Sequence, residues 1–246
     1  LEISKPTGNM VIDIGGGNAP TMSVGYPDHF AEYLITESII SLDKFIESTD
    51  SRIGMTQTDM EDFLEGYLEE NTMYDLENSV MGLPFNKSNE AMFYNKEFFD
   101  HFELDLPTTW QEVEALAPII YGIVEDLEDD EFPWMGKIAS NLAEGEFMPL
   151  MYDSTSNFFT TMIHQFGGEY TRAIYRAGGI TDVQRGILAF EDDPATEQAM
   201  SYFQGLADDE VMNVPEAWEG NYGSNFFINS QIVMNVGSTG GSSHYA

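Results

Sequence analysis

Short apolar runs and helix-spaced apolar stripes alternate along this chain, the rhythm of an α/β protein. Met10 to Ile14 and Thr21 to Val24 read as strands around the loop Gly15-Gly16-Gly17-Asn18-Ala19-Pro20. Helical spacing begins at Asp28 and runs through Phe30, Tyr33 and Leu34. A short helix is predicted from Ser41 to Glu47, and Phe63, Tyr67 and Leu68 form a third helical face. Leu83 to Phe85 and Ala91 to Tyr94 are extended runs joined by a polar cluster, Asn86 to Glu90, with no turn glycine between them. Such a path reads as a chain crossing between two lobes. Polar side chains at a crossing face a cleft, and interfaces between domains are where small ligands sit.

Beyond the crossing, Asn95 to Phe102 reads as a short amphipathic helix. Pro107 to Leu116 follows, with Thr109 and Glu112 spaced as a capping box and Trp110, Val113 and Leu116 turned inward. Pro118 is expected to kink or end that helix. Glu125 to Glu131 reads as an acidic surface loop. Asn157 to Phe166 is a helix with its stop at Gly167-Gly168. Thr171 to Gln184 is read as loop with a short strand or hairpin. Asp193 caps a helix to Leu206, with Pro194 in its first turn. Tyr222 to Ser230 reads as a short helix, and Gln231 to Val236 as a strand returning toward the cleft. Gly237 to Ser243 reads as a loop rich in backbone donors.

Composition narrows the function. The 246 residues suffice for a substantial core, and 42% are hydrophobic. Against 43 Asp and Glu stand 9 Lys and Arg, a formal charge of -34. That balance excludes nucleic acid, whose phosphates need clustered cations, and docking on anionic lipid. The acids are spread along the chain, which suits a solvated surface and a high-salt medium. With no cysteine there are no disulfides, thiolate metal sites or cysteine nucleophiles. No run is long enough to span a bilayer, and Leu1 opens in mid-pattern, as a trimmed end does. No metalloprotease, serine-hydrolase, phosphate-loop or EF-hand motif is present. Among so many carboxylates, some pair falls at glycosidase spacing by chance, so an enzyme or a surface adhesin remains an alternative. No cofactor and no metal are implied.

Several strings carry a resemblance to a known family. "LPFNKSNEAMFYNKEFFDHFELDLPTTWQEVEALA", "NFFTTMIHQFGGEY", "DDPATEQAMSYFQGLADDEV", "NYGSNFFINSQIVMNVGSTGG" and the opening "APTMSVGYPDHFAEYLITESIISLDKFI" occur in one order over nearly the whole chain. Together they resemble family 1 extracellular solute-binding proteins of bacterial ABC importers, the maltose-binding and glycerol-3-phosphate-binding types. The resemblance implies a two-lobe periplasmic-binding-protein-like α/β fold (type II), incomplete at both ends, whose lobes close on a ligand. It implies a first lobe of residues 1–88 with 238–246, a second of 91–235, and crossings near 86–90 and 235–238. Ser230 stands where the family has glycine, which puts that local turn in question. The implied partners are a carbohydrate and the permease subunits. The implied location is extracytoplasmic, with any membrane attachment through a lipid anchor outside this chain. The alternative ligand is glycerol-3-phosphate or a glycerophosphodiester, which the negative charge opposes unless Lys87 or Arg172 lines the pocket.

Sugar sites combine aromatic surfaces with groups that satisfy hydroxyls. Three segments fit. Tyr26 and Asp28 lie between a strand and a helix, where Asp28 is either a hydroxyl acceptor or a helix cap. Lys87, Ser88 and Glu90 lie in the crossing; the family places a ligand-binding polar residue at the position matching Ser88, and the alternative is hinge hydrogen bonding. Gly237 and Ser238 open the Ser/Gly turn that contacts ligand in the glycerol-phosphate type. In the second lobe the candidates are Tyr152 and Asp153 before a helix, and Trp218 and Tyr222 as stacking surfaces, with core packing or ordinary exposure as the competing role.

Overall fold

The computed structural model describes residues 8–12, 22–27, 29–75, 77–127, 133–175 and 181–245. Its chain divides into two compact units, residues 1–88 with 171–188 and residues 89–170 with 189–246.

In the first unit, β1 (Gly8–Ile12) is the centre of a three-stranded antiparallel sheet between β2 (Met22–Gly25) and β3 (Gly82–Asn86). Four short helices lie between β2 and β3 in sequence: α1 (His29–Ile35), α2 (Asp43–Ile46), α3 (Gln57–Glu61) and α4 (Glu65–Glu69). Thr56 starts α3 with a reciprocal capping box to Asp59. Among the described residues Phe30, Ile39 and Met81 form a buried cluster here, with Tyr74 edge-on to Phe30 at 5.1 Å.

The second unit opens with β4 (Glu90–Tyr94), so the polar residues 87–89 join a strand of one sheet to a strand of another. Asn95 then caps α5 (Lys96–His101) by accepting from the Phe98 amide at 3.0 Å. The predicted box at Thr109 and Glu112 starts α6 (Trp110–Glu125), whose Val113, Leu116, Ala117, Ile120 and Val124 form one buried stripe. Pro118 does not end α6. The ring removes a bond to the carbonyl of Glu114, and both residues lie on the exposed face, where water replaces that bond. The helix α7 (Pro133–Ala143) follows, and most of the acidic segment before it lies outside the described residues.

Next comes β5 (Met148–Tyr152), buried at every position. It is parallel to both neighbours, and a strand covered on both faces reads as an unbroken apolar run. Pro149 is tolerated because pairing with the short neighbour on one side covers only Leu150 and Met151. The helix α8 (Thr155–Gln165) ends at Gly167, with φ +82°. The chain then forms an antiparallel hairpin, β6 (Thr171–Tyr175) and β7 (Thr181–Leu188), which groups with the first unit.

Asp193 caps α9 (Pro194–Asp208), and β8 (Met212–Asn213), α10 (Gly223–Ile228) and β9 (Ile232–Ser238) complete the second unit. Its sheet has the order β4-β9-β5-β8. Phe98, Ile120, Leu150, Met162, Phe203 and Met234 belong to its continuous core. Residues 239–244, expected as loop, form a 3-10 turn. This tail belongs to the second unit rather than with residues 1–88: Tyr245 stacks on Phe93 at 3.9 Å, and the Thr239 amide donates to the Asn89 carbonyl at 2.8 Å. Ser230, where the resemblance expects glycine, has φ +60°, the left-handed backbone that glycine adopts without cost.

Candidate functional site

Sheet register decides which candidates meet. Tyr152 is paired with Val236, Val236 with Met92, and Ser238 with Glu90. The carboxyl ends of β5 and β9 therefore lie beside the start of β4, and carboxyl ends of strands are where α/β sheets bind ligands.

A cavity of about 520 Å3 opens there, wholly within the second unit. Its size lies in the ~300–1,000 Å3 range of small-molecule sites. Met92, Val113 and Val236 give it apolar wall, and Pro107, Thr108 and Thr109 come from the segment that starts α6. The polar groups are Glu90, Tyr152, Thr161 and Gln165, and the large aromatic surface is Trp110. Tyr152 donates its hydroxyl to Glu90 Oε2 at 2.5 Å, and Thr161 Oγ1 donates to the same oxygen at 3.4 Å. Burial, then the hydrogen bond to Glu90, pushes the Tyr152 phenol well above its ordinary range, so it keeps its proton and acts as donor. Trp110 Nε1 donates to Gln165 Oε1 at 2.6 Å, which leaves the Gln165 amide nitrogen as a donor. Phe203 supports the indole edge-on at 4.9 Å, and the Tyr152 ring lies 6.4 Å away at 27°. Beside the wall, Glu112 accepts from the Thr108 amide and hydroxyl at 2.6 and 2.8 Å. The arrangement offers an aromatic surface, a carboxylate acceptor and an amide donor in one concavity.

Of the sequence candidates, the structure brings Glu90 and Tyr152 into this cavity. Asp153, one residue on, is committed to protein partners: it accepts from the Gly223 amide at 2.5 Å and from Asn235 Nδ2 at 3.3 Å. Asn235 Nδ2 also donates to Tyr245 Oη at 2.6 Å. Burial raises the Asp153 carboxyl above its usual range against the opposing pull of these donors, and burial pushes Tyr245 up to about 12. Gly237 closes the same network: a Cβ there would stand 2.7 Å from Tyr245 Oη and 2.8 Å from Asp153 Oδ2. Ser238 Oγ accepts from the Gly240 amide at 3.1 Å and so caps the tail turn. Trp218 packs edge-on against Phe226 at 5.7 Å, and Tyr222 stands exposed before α10.

The remaining candidates are in the first unit. Lys87 pairs with Glu70 at 2.5 Å and lies over the Tyr67 ring, Ser88 is half-buried, and Tyr26 is exposed with His29 edge-on at 5.8 Å. Asp28 lies outside the described residues. Sequence reasoning missed Trp110, Thr161 and Gln165 as cavity residues. Trp110 carried a signal, a large aromatic at the first position of a capped helix; Thr161 and Gln165 carried none beyond lying on one face of α8, four residues apart.

No protein-family model and no curated protein matches the sequence. Among solved structures it is similar to the ABC substrate-binding protein Lmo0181 from Listeria monocytogenes, determined in complex with cycloalternan. The TM-score is 0.52 at 18% identity, over 85% of this chain and 45% of that one. This chain therefore has the α/β substrate-binding-protein fold, and it spans 45% of the length of that neighbour.

Proposed function

We propose that this chain is the ligand-binding part of an extracytoplasmic receptor that captures a carbohydrate, an oligosaccharide or glycoside, and passes it to the permease of an ABC importer without transforming it. The observation that carries the reading is the cavity of Trp110, Glu90 and Tyr152 at the carboxyl ends of β5 and β9. A hydroxyl-rich ring needs an apolar surface for its C–H groups and acceptors and donors for its hydroxyls, and the cavity supplies all three. The fold, and a similar protein that holds cycloalternan, support the same class of ligand. The cavity lining includes a carboxylate and, among the described residues, no Lys, Arg or His. This favours carbohydrate over glycerol-3-phosphate. Attachment through a lipid anchor on the full-length protein belongs to the same proposal; no described helix is long and apolar enough to cross a membrane.

A thermal-shift screen tests the reading, because a ligand that binds only the folded state raises its midpoint with the logarithm of concentration. Neutral oligosaccharides, cycloalternan among them, should raise the midpoint and be recovered unchanged. A shift with glycerol-3-phosphate and none with sugars would overturn it, and so would hydrolysis of the bound sugar.

A further inference from the structure

The way Glu90 is held goes beyond a general sugar site. Both hydroxyl donors, Tyr152 and Thr161, bond one oxygen, Oε2. Among the described residues no donor meets Oε1, and the Glu90 side chain lines the cavity and is solvent-accessible. Oε1 is therefore left as an acceptor for whatever enters, while the carboxylate is held through Oε2. One turn along α8 from Thr161, Gln165 has its Oε1 committed to Trp110 and offers Nε2 as donor. The chemistry is ordered: one position receives a hydroxyl that donates, another receives an oxygen that accepts. No cation lines the described wall, and a second carboxylate, Glu112, is bonded to the Thr108 and Thr109 amides beside it.

Resting on the carbohydrate reading above, we infer that this cavity is a charge filter: it admits a neutral sugar ring and rejects its uronate or phosphate ester, with Glu90 as the residue that sets the distinction. A carboxylate or phosphate on the ring would bring a like charge to Glu90 Oε1, with no cation among the described lining residues to offset it. A neutral hydroxyl at the same place makes a charge-assisted hydrogen bond. Gln165 serves both kinds of ring alike, since its amide donates to either.

The test uses the chain itself, with maltotetraose, cellotetraose and cycloalternan as neutral probes. Each linear probe is compared with the same tetrasaccharide oxidised to the uronate at its terminal C6. Calorimetry on the wild type should give saturable binding of at least one neutral probe, and for a linear binder affinity for its uronate lower by tenfold or more. Glu90→Gln should weaken the neutral sugar and bring the neutral-to-uronate ratio below threefold. Gln165→Met, at an exposed position, should weaken both about equally and keep the ratio. Circular dichroism confirms that each variant is folded. Neutral binding with an equally bound uronate overturns the filter and leaves the carbohydrate reading standing, as does an unchanged ratio in folded Glu90→Gln. Binding of no neutral sugar at all overturns both.

Discussion

The two units treat their apolar side chains differently. In the second, Phe98, Ile120, Leu150, Met162 and Met234 are buried to within 2% of full exclusion and interlock around a four-stranded sheet. Among the described residues of the first, the buried cluster is Phe30, Ile39 and Met81, and Tyr26, Ile53, Leu64, Met73 and Phe85 are exposed, as Leu106, Ile119, Tyr222 and Ile228 are in the second. Its helices α2, α3 and α4 bury none of their own residues. One acidic chain thus builds two kinds of structure. The cavity stands on the second unit, over its continuous core, and a site holds its geometry only when the elements beneath it are fixed.

The comparison is broken most directly at Leu150, fully buried at the centre of β5. Leu150→Ala should cost the second unit about 2–5 kcal/mol, the range for emptying a packed core position, measured by denaturant unfolding. A loss under 1 kcal/mol would show that this core is not close-packed. A smaller effect separates the two capping boxes. Thr109→Ala should cost about 1 kcal/mol because α6 carries five buried residues behind its cap. Thr56→Ala should cost less, since α3 is five residues long and buries none. Equal losses would erase the distinction between the units. Ser230→Gly should stabilise the second unit by about 0.5–1 kcal/mol by relieving the left-handed backbone, offset in part by the freedom glycine gains when unfolded.

The smallest effect is in pH dependence. Asp153 has a raised carboxyl in the folded state, so its contribution is complete below the ordinary aspartate pKa and is lost as pH rises through the raised value. The stability of the wild type relative to Asp153→Asn should therefore fall as pH rises from about 4. Asp59 in the first unit is held low by the Thr56 hydroxyl and then its amide, and has the opposite sign: its contribution is present above the ordinary value and lost as pH falls. Paired thermal melts of Asp153→Asn and Asp59→Asn across pH 3–7 check both signs, and parallel curves would contradict them.

Much of the fold was legible where local chemistry fixes an end. Thr109 with Glu112, Asp193 with Pro194, and Gly167 each mark a helix boundary through groups within four residues of one another. The strands on either side of 87–89 were legible because two extended runs, Leu83 to Phe85 and Ala91 to Tyr94, flank a polar cluster. What escaped depended on distant neighbours. Pro149 disguised β5, and only the shortness of β8 explains its tolerance. Met135 and Ile138 shared a helical spacing with Trp134, but no cap announced α7, and nothing local placed Trp134. Its indole donates to Glu97 at 2.7 Å, far away in sequence. The site divided in the same way. Glu90 was named because it lies in the polar segment between two extended runs, and Tyr152 because it is an aromatic just before a predicted helix. Asp153 and Gly237 have the same local signature, yet face Gly223, Asn235 and Tyr245. Trp110, Thr161 and Gln165 join Glu90 and Tyr152 only through sheet register and helix packing, which no local pattern encodes.

The central claim is that the cavity beside Trp110 takes a neutral carbohydrate. Trp110 can report on it alone in a variant carrying Trp134→Phe and Trp218→Phe, since the chain has 3 tryptophans. Titration with neutral oligosaccharides should change its emission saturably, with the same dissociation constant that calorimetry gives, and Tyr152→Phe should weaken that constant by several-fold. Sugar binding seen by calorimetry while Trp110 emission stays constant would place the ligand elsewhere and contradict the account.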